Sequence, residues 1–486
     1  MFTALDWTVL VVYILFSVAV GLFASRGKKN FKSYMFGNGS MPWVAIGISL
    51  IATSVSATTF LGNPSHAYAT DMTYLMNNFG AFIAIIVVGW VFIPRFKKAG
   101  ITSAYELLEN RFSLPVRRLA AVFYSLHLLL RMGILLYAPS LVLAPILGID
   151  IHFAILITAV IATAYTWYGG FKAVVWTDVL QFLVLFGGGA VTLAVIADAV
   201  GGFSEMAHLA SLHGKTRWLD FSNWDPAYPR NFLSAGLVYA VMEIAIRGCD
   251  QQFVQRYLSC KNVSEANRSS ILSMVLGVFV SVLFFWVGAA LYVFFQVKHV
   301  AELPASVNVN EVFPYFLLHI LPPGVTGLVV AAIYAAAMSS LSSAINSLGN
   351  TTVKDILHIR EENAASLSKA KLWTILWAVL STGCAFMAVR MTRSLLDNAL
   401  FFTGLFTGPL LALFLLAFFG GYLKTRFVFA GVFLGMAATV ILNGIPMCPA
   451  FHTPLMGVFS HFWNPLISCS VTFISAVLLH RIFRKA

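Results

Sequence analysis

Apolar runs of about the length needed to cross a bilayer as a helix recur along this chain from Leu5 to Leu479. Thirteen can be placed, centred near residues 14, 55, 84, 132, 160, 188, 243, 283, 336, 381, 410, 436 and 472. The pattern predicts an all-α polytopic membrane protein forming a single transmembrane unit over 1–486. An extra helix is expected at 5–24, two sets of five spans at 44–200 and 233–419, and further helices at 426–486. Five is odd, so the second set starts on the opposite side of the membrane from the first. This is the arithmetic of an inverted repeat, a common plan for transporters with alternating access. Turn chemistry sets the finer divisions. A turn is expected at 37–42, an end to the first core helix at Asn63-Pro64, and a loop between spans at Tyr168-Gly-Gly-Phe-Lys-Ala. A short amphipathic helix is expected to lie at the interface over Thr102–Arg111.

Two of the runs carry hydroxyls where hydrocarbon would be expected. Ala331–Ser347 contains five serines, and Ala336, Ser339, Ser340 and Ser343 share one helical face. Such a face permits close helix packing or offers oxygens to an ion. Ala52-Thr-Ser-Val-Ser-Ala-Thr-Thr-Phe60 places five hydroxyls in nine residues. That density suits a helix that unwinds and lines a cavity. Two broken, hydroxyl-rich helices meeting in mid-membrane form a seat for Na⁺, which favours neutral oxygens.

Composition agrees: 59% of the 486 residues are hydrophobic, 10% are charged and the mean hydropathy is +0.84. The net charge of +12 is a topology signal rather than a nucleic-acid footprint. With thirteen spans and the N-terminus outside, 23 of the 31 Lys and Arg fall on inside segments. The outside segments hold only Lys215, Arg217, Arg230, Lys298, Arg390 and Arg393. By the positive-inside rule the N-terminus lies outside and the C-terminus in the cytoplasm. The first apolar run, with no basic flank before it, is expected to be a retained helix rather than a signal peptide. The five cysteines lack metal-ligand spacing, and the eleven histidines form no catalytic pattern. No nucleophile–base set or phosphate loop points to an enzyme.

Charges inside spans are functional candidates. Arg131 sits roughly 18 Å down its helix from Leu119, where a guanidinium suits a carboxylate. The competing expectation is an ion pair with Glu243. Glu243 and Arg247 stand one helical turn apart and are spaced to pair with each other; Asp250 follows.

Four stretches carry a family resemblance: Ala52–Phe60, Tyr165–Gln181, Gln251–Ser259 and Ala331–Ser347. Together they resemble the sodium/solute symporter family, which includes the sodium/glucose, sodium/proline, sodium/sialic acid and sodium/monocarboxylate transporters. The resemblance extends over nearly the whole chain. It implies a LeuT-like core of two inverted five-helix repeats and Na⁺ as coupling ion. For the common sodium site it implies the carbonyls of Ala52, Val55 and Ala336 with the hydroxyls of Ser339 and Ser340. For a second sodium, found in sialic acid members, it implies Asp178, Ser342 and Ser343; the alternative for Asp178 is pairing with Lys172 or capping its helix. For a solute it implies Ser54, Ser56, Thr59, Tyr74, Asn78 and Arg131. Charged residues at Glu243 and Arg247 depart from the sialic acid pattern, and Leu136-Tyr-Ala-Pro-Ser140 is similar to the monocarboxylate and vitamin branch. Both branches handle anions. The expected function is import of a carboxylate-bearing solute, sialic acid first and a monocarboxylate or other sugar or vitamin acid second. A transport-incompetent sensor is the third reading. The expected setting is a bacterial inner membrane, with lipid and a small anion as partners and no obligate protein partner.

Overall fold

The computed structural model describes residues 2–24, 34, 41–359, 364–390, 395–421, 423–443 and 455–483. Most of the turn expected at 37–42 lies outside them. Among the described residues every regular element is helical. Ten helices are long and apolar enough to cross a membrane, and a bent pair makes an eleventh. Two further apolar helices, Ile151–Thr163 and Thr403–Phe419, are shorter.

The elements run as follows: α1 (Ala4–Ala24), α2 (Trp43–Ser54), α3 (Ala57–Ala69), α4 (Asn77–Val87), α5 (Glu106–Arg111), α6 (Leu114–Leu147), α7 (Ile151–Ala199), α8 (Phe203–Leu212), α9 (Tyr239–Cys249), α10 (Gln251–Ser259), α11 (Val263–Tyr292), α12 (Val312–His319), α13 (Val325–Thr351), α14 (Ala364–Ala388), α15 (Leu395–Phe419), α16 (Thr425–Asn443) and α17 (Asn464–Ile482). The centre of the molecule is α13. Its span is 94% buried, against 22–67% for the other nine. A helix hydrophobic or small on every side is one surrounded by protein, and α7, α6, α1 and α14 pack around this one. At its N-terminus Asp6 of α1 accepts hydrogen bonds from the backbone N–H groups of Gly324 and Gly327, at 2.7 and 2.8 Å. A carboxylate there satisfies orphan donors and complements the helix dipole.

Three expectations need correction. The first core helix does not end at Asn63-Pro64. It breaks earlier, at Val55 and Ser56, whose backbones are extended (φ −82°, ψ 119° and φ −123°, ψ 174°), and α3 then runs on through Pro64 to Ala69. The two halves meet at 55°. Pro64 removes one backbone donor, a loss the helix tolerates where neighbours enclose it. The Tyr168-Gly-Gly stretch is not an extended loop: a single non-helical residue, Gly170 (φ 70°, ψ −174°), divides α7 into two helices. Only glycine suits that backbone, and a Cβ there would stand 2.6 Å from the Tyr34 ring. The amphipathic segment 102–111 is docked into the protein, not laid on lipid. Ser103, Ala104, Tyr105 and Leu108 are buried. The Ala104 N–H donates to Gln251 Oε1 at 2.9 Å, and the Tyr105 hydroxyl to the Cys249 carbonyl at 3.1 Å. Those buried polar groups would have no partner at an interface with acyl chains.

The same end of the molecule is tied together by ions. Arg117, at the start of α6, contacts Asp355 at 2.7 Å and Glu109 at 2.6 Å, and Ser103 donates to Asp355 at 2.8 Å. The pair joins α6 to the end of the α13 span.

Close packing holds the outer half of the broken helix in place. Gly288 of α11 lies so near α3 that a Cβ would stand 2.7 Å from Ala67 Cβ and 2.8 Å from Pro64 Cα. Gly288→Ala should therefore cost about 1–3 kcal/mol through overpacking, read as a lower thermal midpoint in detergent. An unchanged midpoint would show that α3 yields freely.

Candidate ion and solute site

The break in the first core helix leaves carbonyls near the middle of the molecule without helical partners. They face α13. Ser339 Oγ lies within hydrogen-bond reach of two carbonyls, that of Ala52 at 2.9 Å and that of Ala336 at 3.1 Å, and its one hydrogen can go to either. Ser340 Oγ lies 3.4 Å from the carbonyls of both Thr53 and Val55. All five residues expected at the common sodium site thus meet in one buried place. Thr53, whose carbonyl joins them, was missed; its place inside the hydroxyl run was the available signal. The set is wholly neutral, made of backbone carbonyls and hydroxyls. It fits a hard monovalent cation, which unwound helix backbone at membrane depth commonly coordinates. Among the described residues no cluster of three His, Cys, Asp or Glu side chains offers an alternative metal site.

A second cluster lies one helical turn away. Asp178 is fully buried on α7, and its partner is neither Lys172 nor a helix end. Arg256 of α10 binds it at 3.0 Å. The guanidinium also donates to Ser343 Oγ at 2.6 Å and to Ser49 Oγ at 2.8 Å, while Ser49 donates to Asp178 at 2.5 Å. Thr53 Oγ1 lies 3.3 Å from Ser343 Oγ. Asp178 and Ser343 are therefore together, with an arginine between them. Ser342 turns back to the Ser339 carbonyl of its own helix, at 3.1 Å. The Gln251–Ser259 stretch carries the resemblance, yet no role had been assigned to Arg256 or Ser49. A buried arginine in a motif is the signal that identifies it.

The six residues expected around a solute line one cavity of about 210 Å³: Ser54, Ser56, Thr59, Tyr74, Asn78 and Arg131. Tyr74 stacks on His66, with ring centroids 4.1 Å apart. Asn78 donates to the Leu75 carbonyl at 2.9 Å. Among the described residues Arg131 makes no salt bridge; Glu243 is held by Arg247 at 2.6 Å, and the buried Asp250 carboxyl is near enough to interact with the Arg131 charge without touching it. Asn77, Tyr239, Glu243 and Arg247 also line the cavity. Asn77, the neighbour of Asn78, lines the cavity without having been among the expected residues. The broken helix forms a wall of both sites, with Val55 in each. The fold is that of a membrane transporter, in which a cluster of neutral oxygens and a polar cavity share one interrupted helix.

A model of the sodium:solute symporter family matches residues 34–446, and the chain belongs to that family. The sodium/sialic acid symporter SiaT of Proteus mirabilis is 33% identical over 428 residues, 86% of this chain and 85% of that protein. The human sodium/iodide cotransporter is also 33% identical, over 90% of this chain and 69% of that protein. A solved structure of a Na⁺-coupled sialic acid symporter, substrate-bound and outward-open, superposes with a TM-score of 0.86 at 29% identity, covering 99% of both chains.

The Asp178–Arg256 pair generates a prediction. Removing one member of a buried pair leaves the other charge uncompensated, at a cost of about 3–5 kcal/mol. Arg256→Gln should be strongly destabilising, and Asp178→Asn/Arg256→Gln should recover much of the loss. Denaturation in detergent checks this; a double variant as unstable as the sum of the singles would contradict it.

Proposed function

We propose that this protein is a Na⁺-coupled symporter that imports a carboxylate-bearing solute, with N-acetylneuraminate as the leading candidate. The observation that carries the reading is Arg131, with no salt bridge among the described residues, in a cavity walled by the hydroxyls of the broken helix. An arginine at membrane depth that faces a cavity with no carboxylate in contact suits an anionic ligand. The likeness to the Proteus mirabilis sodium/sialic acid symporter and to the solved Na⁺-coupled sialic acid symporter supports sialic acid. The human iodide cotransporter marks how far substrates diverge at the same identity.

In this reading Na⁺ sits among the carbonyls of Ala52, Val55 and Ala336 and the hydroxyls of Ser339 and Ser340. It braces α2 against α13 and thereby fixes the end of the helix that the solute touches. Ser54, Ser56, Thr59, Tyr74 and Asn78 orient the solute around its carboxylate on Arg131. A second Na⁺ at Asp178, Ser342 and Ser343 requires Arg256 to release Asp178 and Ser343, because the two cations compete for the same oxygens.

Ten spans, a bent pair and two shorter apolar helices among the described residues each fall on one of the thirteen runs in the sequence, which supports a reading of thirteen crossings. The first helix of each five-span set is broken, one at Val55 and Ser56 and the other at Asp250 (φ −74°, ψ 125°). This supports the inverted repeat. The lysine and arginine distribution supports an outside N-terminus and a cytoplasmic C-terminus, and the likeness to bacterial sialic acid symporters supports an inner membrane. The Arg117–Asp355–Glu109 cluster is then a closure on the cytoplasmic side.

Uptake of N-acetylneuraminate into proteoliposomes under an imposed Na⁺ gradient tests the reading. Uptake should need Na⁺, fall at least tenfold in Arg131→Gln, and need a higher Na⁺ concentration in Ser340→Ala. Gradient-independent uptake, or full activity in Arg131→Gln, would contradict it.

A further inference from the structure

The charged residues on α9 give the cavity a second chemistry besides Arg131. Glu243 and Arg247 both reach the cavity wall. Glu243 Oε2 accepts from Arg247 Nε at 2.6 Å, and Oε1 accepts from the Tyr239 hydroxyl at 2.8 Å. Arg247 Nη1 is turned to Ser273 Oγ at 3.3 Å, and its guanidinium lies over the Phe253 ring. The pair is internally neutral, so it neither adds to nor cancels the charge of Arg131. A carboxylate has about four acceptor positions, and these two bonds occupy two of them. The rest belong to a group that lines the cavity beside the arginine and the tyrosine that hold its charge in place.

We infer that Glu243 is a specificity-determining residue, accepting hydrogen bonds from hydroxyl or N–H groups on the body of the solute while Arg131 holds its carboxylate. This rests on the reading of Arg131 as the carboxylate anchor and deepens it. The cavity then selects a monoanion rich in donors, such as a sugar acid. A short carboxylate without donors satisfies Arg131 but leaves Glu243 stripped of water against an apolar surface. Sites built to receive a hydroxyl or N–H discriminate strongly against analogues that lack it. The distinction between a sugar acid and a simple monocarboxylate, open in the sequence, falls on this one side chain.

The test is the affinity of purified full-length protein, in Na⁺, for N-acetylneuraminate, gluconate and pyruvate. Two variants accompany the wild type. Glu243→Gln keeps an acceptor for its neighbours and removes the charge. Glu243→Met/Arg247→Met removes both charges together, so no buried ion is left alone. Stabilisation by Na⁺ without solute reports that each variant is folded with its ion site intact; if the double variant loses it, Glu243→Gln decides. The wild type should bind one of the hydroxyl-rich acids better than pyruvate. Both variants should lose about 10- to 100-fold for that acid, with pyruvate affinity unchanged or raised. Gluconate preferred over N-acetylneuraminate would overturn the sialic acid assignment while leaving the role of Glu243 to the variants. Affinity within threefold of wild type in a variant that keeps its Na⁺ response would overturn that role. A wild type that binds pyruvate best, or none of the three, overturns it as well.

Discussion

An α-helix that stops in mid-membrane leaves carbonyls with no partner in its own backbone, and hydrocarbon supplies none. The break at Val55 and Ser56 creates that demand, and the architecture around it answers it. A bulky face on the facing helix would keep it at a distance. The alanines and serines of α13 instead let the backbones approach until Ser339 and Ser340 reach the carbonyls of Ala52, Thr53 and Val55. The complete enclosure of α13 follows from the same need, since a small, hydroxyl-bearing helix facing lipid would be a poor membrane span. The break also points two ways: its carbonyls face the ion seat, and Ser54, Ser56 and Thr59 face the solute cavity. One interruption therefore gives the protein two sites that cannot relax independently.

The buried charges obey a second constraint. Arg256 meets Asp178, Arg247 meets Glu243 and Arg117 meets Asp355. Each pair ties together segments distant in sequence or holds a helix surface in place, and each keeps a costly charge from standing alone. Asp6, Asp250 and Lys215 are met instead by backbone groups. Arg131 lines the polar cavity with no salt bridge among the described residues.

Much of this was legible in the chain. The apolar runs located the spans, since a bilayer imposes a length on each crossing. The hydroxyl runs pointed to the cluster of carbonyls and hydroxyls between α2 and α13, since hydroxyls at such depth need a reason to be there. The six residues expected around a solute share one cavity, and resemblance supplied those positions where spacing alone would not. What escaped was the partnering of residues across helices. Nothing local marks Arg256 as the mate of Asp178, 78 residues earlier, and Lys172 was simply nearer in sequence. Pro64 was read as a terminator by its usual effect on a free helix, but packing against α11 carries the helix past it. The segment 102–111 has the amphipathic pattern of an interfacial helix, and that pattern does not distinguish lipid from a protein groove.

The central claim is that ion and solute are coupled through the broken helix. Linkage makes this measurable, because each ligand must change the affinity of the other by the same factor. Isothermal titration of the purified protein should show N-acetylneuraminate binding tightened by Na⁺. Na⁺ binding should be tightened by saturating N-acetylneuraminate to an equal degree. Solute affinity that is the same in Na⁺ and in a Na⁺-free buffer would contradict the account.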